Sequence, residues 1–555
     1  MSSNPSPAVA ALLSFLFPGA GQIYAGETRK GLLWAIPMFL FVIAVILLLL
    51  GGQNALLGLI SSAPKRLALL VLNVAFFLYH LAAMFDGYAV AQRQRYRGFG
   101  GLGGAAPIIL AALVSLTIVL HGLPEAYGVQ IHNTISGIFD PTRPNPIPSG
   151  SFSVSSLPPV SQTPTPIGTP SPPPSPTTSP SGTPGPSGTP GLETPIPSRT
   201  PPPPVDLANW PGWAQDNRLN LLVVGTDSRS DTGVDDNSLR TDTMLLLSID
   251  IQAGKAAMFS FPRNMCTPSI EGSCGAAGIE SRYPDWLRIP LPVESAGVYP
   301  NGIFPDMLNG LWRRAAERPE FPGSEGVSGQ DCPLQYTCNR AWQALVGTIE
   351  EMTAVPIDGI VSVNLNGFVA LVDNLPQVCP PRSVRVALTN ADCYGGIWLD
   401  VPQALHDDVY HTSTGQLMTI DIDAGCQFFD GEMALAYSRS RHESSDYDRA
   451  RRQQYVLTQV RKQLDPLALL PHIPQLLAVA EQNLYLGSLN DTDIPYLAEA
   501  ASRIDADRIY RYDFAPNKVA AVGSMQGMRD KVQNIFSEPE PDPEPPPSGD
   551  RCPPK

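Results

Sequence analysis

The first third of the chain is patterned by long apolar runs. Residues 32–50 are almost wholly apolar and long enough to cross a bilayer core. Residues 67–85 and 104–120 read the same way. A shorter apolar stretch, 8–17, precedes the small-residue turn PGAGQIYAG at 18–26. It is either a fourth span or an interfacial segment. No basic region precedes Ala8, as a cleaved leader requires, so these segments read as permanent anchors.

Further on, the period shortens. Residues 219–224 form an apolar run typical of a buried strand, and 243–251 and 256–261 predict two more strands joined by a hairpin turn at 252–255. Residues 339–352 predict a helix with Trp342, Leu345, Val346 and Ile349 on its apolar face. A strand at 359–364 and a helix at 367–374 follow. Near the C-terminus, 435–441 reads as a strand with Leu435, Tyr437, Arg439 and Arg441 on one face. In the helix after it, Arg449, Gln453, Val456, Val460 and Leu464 make one stripe, with Arg452 adjacent and Arg451 opposite. Strands alternating with helices predict an α/β layered domain over residues 206–536.

Composition divides the chain further. Of 59 prolines, 23 lie in 141–204. Residues 141–205 therefore read as a disordered Pro/Ser/Thr-rich linker, and 537–555 as a disordered acidic, proline-rich tail that Cys552 can tether. In a polyproline conformation the linker reaches at most on the order of 200 Å, at ~3.1 Å per residue. It is either a spacer through a wall layer or a glycosylated stalk with no reach requirement. Residues 1–125 form the membrane module. Arg29, Lys30, Arg93, Arg95 and Arg97 place their loops in the cytoplasm, so everything after His121 is expected outside; Lys65 and Arg66 conflict with that assignment. A net charge of -14 and a pI near 5.0 argue against a nucleic-acid partner. All 8 cysteines lie at or beyond Cys266, which suits an oxidising compartment. The close pairs Cys266/Cys274, Cys332/Cys338 and Cys379/Cys393 suggest local disulfides.

In an acidic chain, a tight group of arginines stands out. Arg439, Arg441, Arg449 and Arg452 extend apolar, inward-facing stripes, and buried guanidiniums need counter-charges. Asp227, Asp242, Asp446 and Asp448 are candidates, with a bound anion supplying the rest. Asp227 and Arg229 follow the first strand, Arg240 and Asp242 enter the second, and Arg263 leaves the hairpin. All sit at strand ends, where α/β sheets place ligands. Arginine suits di-anions through forked hydrogen bonds, which predicts a phosphate or pyrophosphate site. Asp227 and Asp242 among these arginines suggest Mg²⁺ or Mn²⁺. His406, His411, His442 and the cysteines show no zinc-ligand spacing. A Gly-rich phosphate loop and a Gly-x-Ser-x-Gly elbow are both absent.

The motifs LLVVGTDSR, LRTDTMLLLSID, FSFPRN, VPIDGIVSVNLNGFVALVDNL, DGEMALAYSRSRH and DYDRARRQQ occur in this order. In them the chain resembles the LytR-CpsA-Psr family of bacterial cell-wall glycopolymer transferases. The resemblance implies an αβα sandwich with an apolar tunnel for a polyprenyl chain. It implies transfer of a glycan from a polyprenyl-pyrophosphate carrier to peptidoglycan, at a bacterial membrane, with Mg²⁺. By motif, Asp227 and Asp242 would hold the metal. Arg229, Arg240, Arg263, Arg439, Arg441, Arg449, Arg452 and Gln453 would surround the pyrophosphate, with Asp242, Arg263 and Arg441 catalytic. The chain departs from the pattern at Asn264, where the family commonly has Asp. Apparent insertions at 267–305 and 322–338, expected to reshape an acceptor groove, and the extra spans are further departures. Asn264 keeps a non-catalytic lipid-phosphate binder in view, and pyrophosphate hydrolysis is a related alternative.

Overall fold

Helices α1 (Pro7–Leu16), α2 (Ala20–Tyr24), α3 (Thr28–Leu50), α4 (Gly52–Ser61), α5 (Ala63–Arg95) and α6 (Ala106–Ile138) form the N-terminal module of the computed structural model. That structure describes residues 5–95, 105–139, 202–226, 240–268, 282–322, 339–375, 395–440, 446–463 and 472–541, with Cys552. Outside the described residues lie most of the proline-rich segment and Asp227, Arg229, Arg441, His442 and Leu464. Cys274, Cys332, Cys338, Cys379 and Cys393 also lie outside them.

Three helices, spanning Thr28–Leu48, Ala63–Gln94 and Ala106–Ile138, are long and apolar enough to cross a membrane, and they suggest a membrane anchor. The PGAGQIYAG turn is a packing device. Gly19 has φ 101°, and a Cβ on Gly21 would lie 2.0 Å from the carbonyl oxygen of Ala10. Only glycine satisfies both positions. The turn places Gln22 so that its Nε2 donates to the Ala83 carbonyl (2.8 Å) and to Asp86 (3.1 Å), which Lys30 and Trp34 also reach. Deeper in the bundle, His80 and His121 pair at 3.3 Å, and Asn73 donates to Glu125 at 2.8 Å. Polar groups inside apolar helices are costly unless paired in this way.

The C-terminal domain follows in chain order. First come β1 (Arg218–Thr226), β2 (Thr241–Asp250), β3 (Lys255–Ser260), α7 (Leu311–Glu317), α8 (Asn339–Thr353), β4 (Gly359–Asn364) and α9 (Leu365–Asp373). Next are β5 (Ile397–Val401), β6 (Leu405–His411), β7 (Leu417–Ile422), β8 (Gly425–Phe429), α10 (Gly431–Arg439) and α11 (Asp446–Gln463). Last are α12 (Ile473–Asn483), β9 (Leu484–Gly487), α13 (Ile494–Arg503), β10 (Tyr510–Asp513), α14 (Pro516–Val522) and α15 (Met525–Gln533). Six strands form a mixed sheet in the order β10-β3-β2-β1-β4-β9. β1 is antiparallel to β2 and parallel to β4. Two small sheets, β5-β8 and β6-β7, lie beside it.

Side chains alternate across the sheet. Leu222, Val224, Leu246 and Phe259 join Trp312 of α7 and Trp342, Leu345 and Ile349 of α8 in the main core. On the other face, Leu219 and Ile249 pack with Ala500 of α13. Helices thus cover both faces, the αβα layering that the family resemblance implies. The described part of the 267–305 segment adds Tyr283, Leu287, Ile289, Leu291 and Phe304 to the main core, so it thickens the domain's interior. Residues 435–439 are helical, not extended: Asp430 caps α10 by accepting from the Met433 N–H (2.8 Å). Cys426 of β8 is disulfide-bonded to Cys552, the tether foreseen for the tail.

Candidate functional site

β1 and β4 run parallel and end side by side, with Gly225 opposite Val363 and Thr226 opposite Asn364. β2 enters at the same end in the opposite sense, which brings Thr241–Thr243 beside Gly225 and Thr226. The carboxyl ends of parallel strands leave a crevice, the usual ligand position in α/β sheets. Helices close it. Asn364 ends β4 and caps α9, accepting from the Gly367 N–H at 2.6 Å. Gln454 fixes α11 to the sheet by donating to Ser260 Oγ at 2.8 Å.

Between these elements lies a pocket with about 710 Å³ of open space, its mouth included. Val223, Val363, Leu365, Phe368, Leu435 and Val456 make it apolar. Asp242, Arg439, Arg449 and Gln453 give it a polar side. Arg449, Gln453 and Val456 present the stripe expected for α11. On α10 the helix keeps Leu435 and Arg439 together, one turn apart, with Ser438 between them. It turns Tyr437 away into a second core with Phe429. The expected strand would have aimed Tyr437 into the site.

Asp242 is the electrostatic centre. Arg263 Nη1 donates to both of its carboxylate oxygens at 3.3 Å, and Asn309 Nδ2 donates to Oδ1 at 3.2 Å. Arg449, only 4 % exposed, donates from Nη2 to the Asp242 backbone carbonyl at 2.9 Å. Its Nη1 lies 3.8 Å from Oδ2. Burial alone would push the Asp242 carboxyl up; the Arg449 and Arg263 guanidiniums, helped by Asn309, hold it below its ordinary value. The group is therefore a fixed anion beside two cations. Arg439 stacks over Tyr410 at 5.9 Å and reaches the His411 carbonyl (3.4 Å).

The structure brings Asp242, Arg263, Arg449, Arg439 and Gln453 to this end of the sheet. Two others go elsewhere. Arg452 donates from Nε to the Tyr437 carbonyl (2.7 Å) and from Nη2 to that of Ser440, so it caps the C-terminus of α10 rather than lining the pocket. Arg240 is exposed just before β2 and does not line the pocket. Asp448 pairs with Arg451 at 3.1 Å, on the solvent side of α11. Asp227, Arg229 and Arg441 lie outside the described residues. Asn264 is buried beside Arg263 and does not line the pocket. Sequence reasoning missed Asn309. It lies just beyond the 267–305 segment, 67 residues from Asp242, with no motif to mark it.

Among the described residues, no group of three or more His, Cys, Asp or Glu is placed to hold a metal. A site of one or two carboxylates completed by phosphate oxygens needs no such group. Asp242 fits that role: its carboxyl is held below its ordinary value, hence in the carboxylate form, and it lines the pocket.

Residues 199–283 and 339–536, just over half of the chain, match the sequence profile of the LytR_cpsA_psr family. The chain belongs to the LytR_cpsA_psr family. Among its relatives is the "Polyisoprenyl-teichoic acid--peptidoglycan teichoic acid transferase TagT" of Bacillus subtilis, 27% identical over 196 residues, 35% of this chain and 53% of that protein. Another is the "Cell wall biosynthesis protein LcpA" of Corynebacterium glutamicum, 24% identical over 289 residues, 49% of this chain and 44% of that protein. The chain spans about half the length of these curated relatives. Among solved family structures, Bacillus subtilis TagV overlays with a TM-score of 0.36 at 17% identity, over 59% of this chain and 99% of that one. TagT bound to LIIa-WTA overlays with a TM-score of 0.32 at 17% identity, over 58% of this chain and 92% of that one. Overlays this loose add nothing to the LytR_cpsA_psr profile match.

Proposed function

We propose that this chain transfers a glycopolymer from a polyprenyl-pyrophosphate carrier to a sugar hydroxyl of peptidoglycan, at the outer face of a bacterial membrane. The supporting observation is one arrangement: an ionised Asp242 flanked by Arg263 and Arg449 on the polar side of an otherwise apolar pocket. A lipid pyrophosphate has that duality, with an apolar tail and a compact poly-anion. TagT is named as a transferase acting between a polyisoprenyl-linked teichoic acid and peptidoglycan, which supports the same reading. The apolar spans and the basic residues of their loops support an outer position for the domain.

In this mechanism the acceptor hydroxyl attacks the glycan-side phosphorus. Its oxygen forms the new P–O bond, the bond to the bridging oxygen breaks, and polyprenyl phosphate leaves; the hydroxyl proton passes to solvent or a nearby carboxylate. Arg449 and Arg263 face the charge that builds on the phosphoryl oxygens, in a low-dielectric site where such charge is worth most. Arg439, at the α10 end of the pocket, and Gln453 orient the headgroup. Leu435, Phe368 and Val456 hold the prenyl chain and exclude water. Asp242, with Asp227 as expected second ligand, would hold Mg²⁺ or Mn²⁺, which neutralises phosphate oxygens when bound. The test supplies full-length protein with a radiolabelled lipid-pyrophosphate glycan, Mg²⁺ and peptidoglycan. Label should move to peptidoglycan and fall at least 100-fold in Asp242→Ala, about the loss of one such stabilising group. Label that stays on the lipid, or moves equally well with Asp242→Ala, sinks the proposal. Asn264 is the observation behind a purely binding role, but its side chain lies away from the pocket lining.

A further inference from the structure

Lys65 and Arg66 fall in a loop assigned to the outside, against the tendency of basic residues to remain in the cytoplasm. The structure gives Arg66 a reason to be there. It is 3 % exposed at the start of α5. Its Nη1 donates to the carbonyls of Ile60 (2.8 Å) and Ser61 (2.7 Å), closing the end of α4. Its Nη2 donates to Ser136 Oγ of α6 and to Asp491 Oδ2, both at 3.2 Å. Asp491 belongs to the C-terminal domain. It sits in the Asn490–Asp493 turn, which is locked by a capping box ahead of α13. One guanidinium thus ties three elements of the membrane module to the domain.

The contact is broader than this pair. α4 packs on α13 and on the Asp491 turn, while α6 packs on α12 and on β9, the edge strand of the sheet. α6 has the length to do so. Its 33 residues span about 50 Å at ~1.5 Å per residue, well beyond a hydrocarbon core of ~30 Å. Thr134, Ile135 and Ile138, near its outer end, are buried. α12 in turn packs on α9, which carries Leu365 and Phe368 of the pocket.

We propose that the C-terminal domain is seated on its own membrane module, latched by Arg66 and Asp491. The pocket is thereby held at the outer surface of the bilayer, where a lipid-linked pyrophosphate can pass into it without leaving the membrane. The pocket's ligand class rests on the proposed function; the seat itself does not.

The test uses the full chain in discs of neutral phosphatidylcholine, with a specific protease site inserted in the proline-rich segment. After cleavage, size-exclusion chromatography separates discs from free domain. The seated domain should stay with the discs. Asp491→Arg should leave about tenfold more domain free, the change that losing roughly 1.4 kcal/mol of seating free energy brings. Arg66→Glu should do the same, and the R66E/D491R double variant should restore retention. Arg66 also closes α4, so the Asp491→Arg variant and the restored pair keep the test valid if Arg66→Glu misfolds. A domain that leaves the discs on cleavage overturns the proposal. So does retention indifferent to Asp491→Arg, which would mean direct lipid contact. Neither result bears on whether Asp242 variants lose transfer, so the two proposals fail separately.

Discussion

Replacing Asp242 by Asn gives the most informative perturbation of the site. The substitution keeps the shape and an oxygen for Arg263 and Asn309 to reach, but removes the negative charge. Arg263 (3.3 Å) and Arg449 (3.8 Å from Oδ2) are left without their carboxylate. A bound pyrophosphate no longer meets that repelling charge. For charges about 5 Å apart at an effective dielectric near 20, the Coulomb energy is ~3 kcal/mol as an upper figure. Solvent at the pocket mouth cuts it to about 1–2 kcal/mol, or roughly 5- to 30-fold in affinity. Titration calorimetry with geranylgeranyl pyrophosphate in EDTA should therefore show Asp242→Asn binding more tightly than the native chain. With Mg²⁺ the order should reverse, because the native chain alone offers the ion a carboxylate. If metal-free affinity falls instead, Asp242 serves to hold the arginines in place and the anion-site reasoning is wrong.

Arg449→Ala should weaken metal-free pyrophosphate binding by about 10- to 150-fold, the value of a charge-assisted hydrogen bond of ~1.5–3 kcal/mol, and Arg449→Lys should recover only part of it; calorimetry reads both. Leu435→Trp should fill the apolar part of the pocket, abolishing retention of long prenyl chains while leaving inorganic pyrophosphate binding within about twofold, as a competition assay would show. Burial pushes the Glu350 carboxyl up to about 7 and that of Asp358 up to about 8. A raised acid keeps its proton in the folded chain where the unfolded chain has lost it. The stability these two groups contribute should thus be fullest below about pH 4 and be lost as pH rises to about 8. Glu350→Gln, which preserves the acceptor for the Ile357 N–H (2.8 Å), should add on the order of 1–3 kcal/mol at pH 8 and flatten that slope in urea unfolding.

Much of the fold was legible because its strands are short apolar runs with clear turns between them. The hairpin at 252–255 and the α11 stripe carrying Arg449, Gln453 and Val456 follow directly from side-chain period. The 435–441 segment misled for a definite reason. Leu435, Tyr437, Arg439 and Arg441 alternate as a strand would, yet Leu435 and Arg439 are also one helical turn apart. The Asp430-Gly-Glu capping signal, which decides between them, lies upstream of the window. Arg452 and Arg449 looked alike on a helical wheel; the α10 C-terminal carbonyls that claim Arg452 become visible only once that segment is helical. Asn309 and the Arg66–Asp491 contact join residues far apart in sequence, and periodicity holds no information on such pairs.

The lipid product of the reaction tests the central claim most directly. Transfer at phosphorus makes polyprenyl monophosphate and leaves one phosphate between glycan and peptidoglycan. Transfer at the sugar carbon would leave polyprenyl pyrophosphate and no phosphodiester. Mass spectrometry of both products, from full-length protein with a defined lipid-pyrophosphate glycan, should find polyprenyl monophosphate and phosphodiester-linked glycan in equal amounts. Polyprenyl pyrophosphate as the lipid product, or free glycan phosphate released to water, would contradict the account.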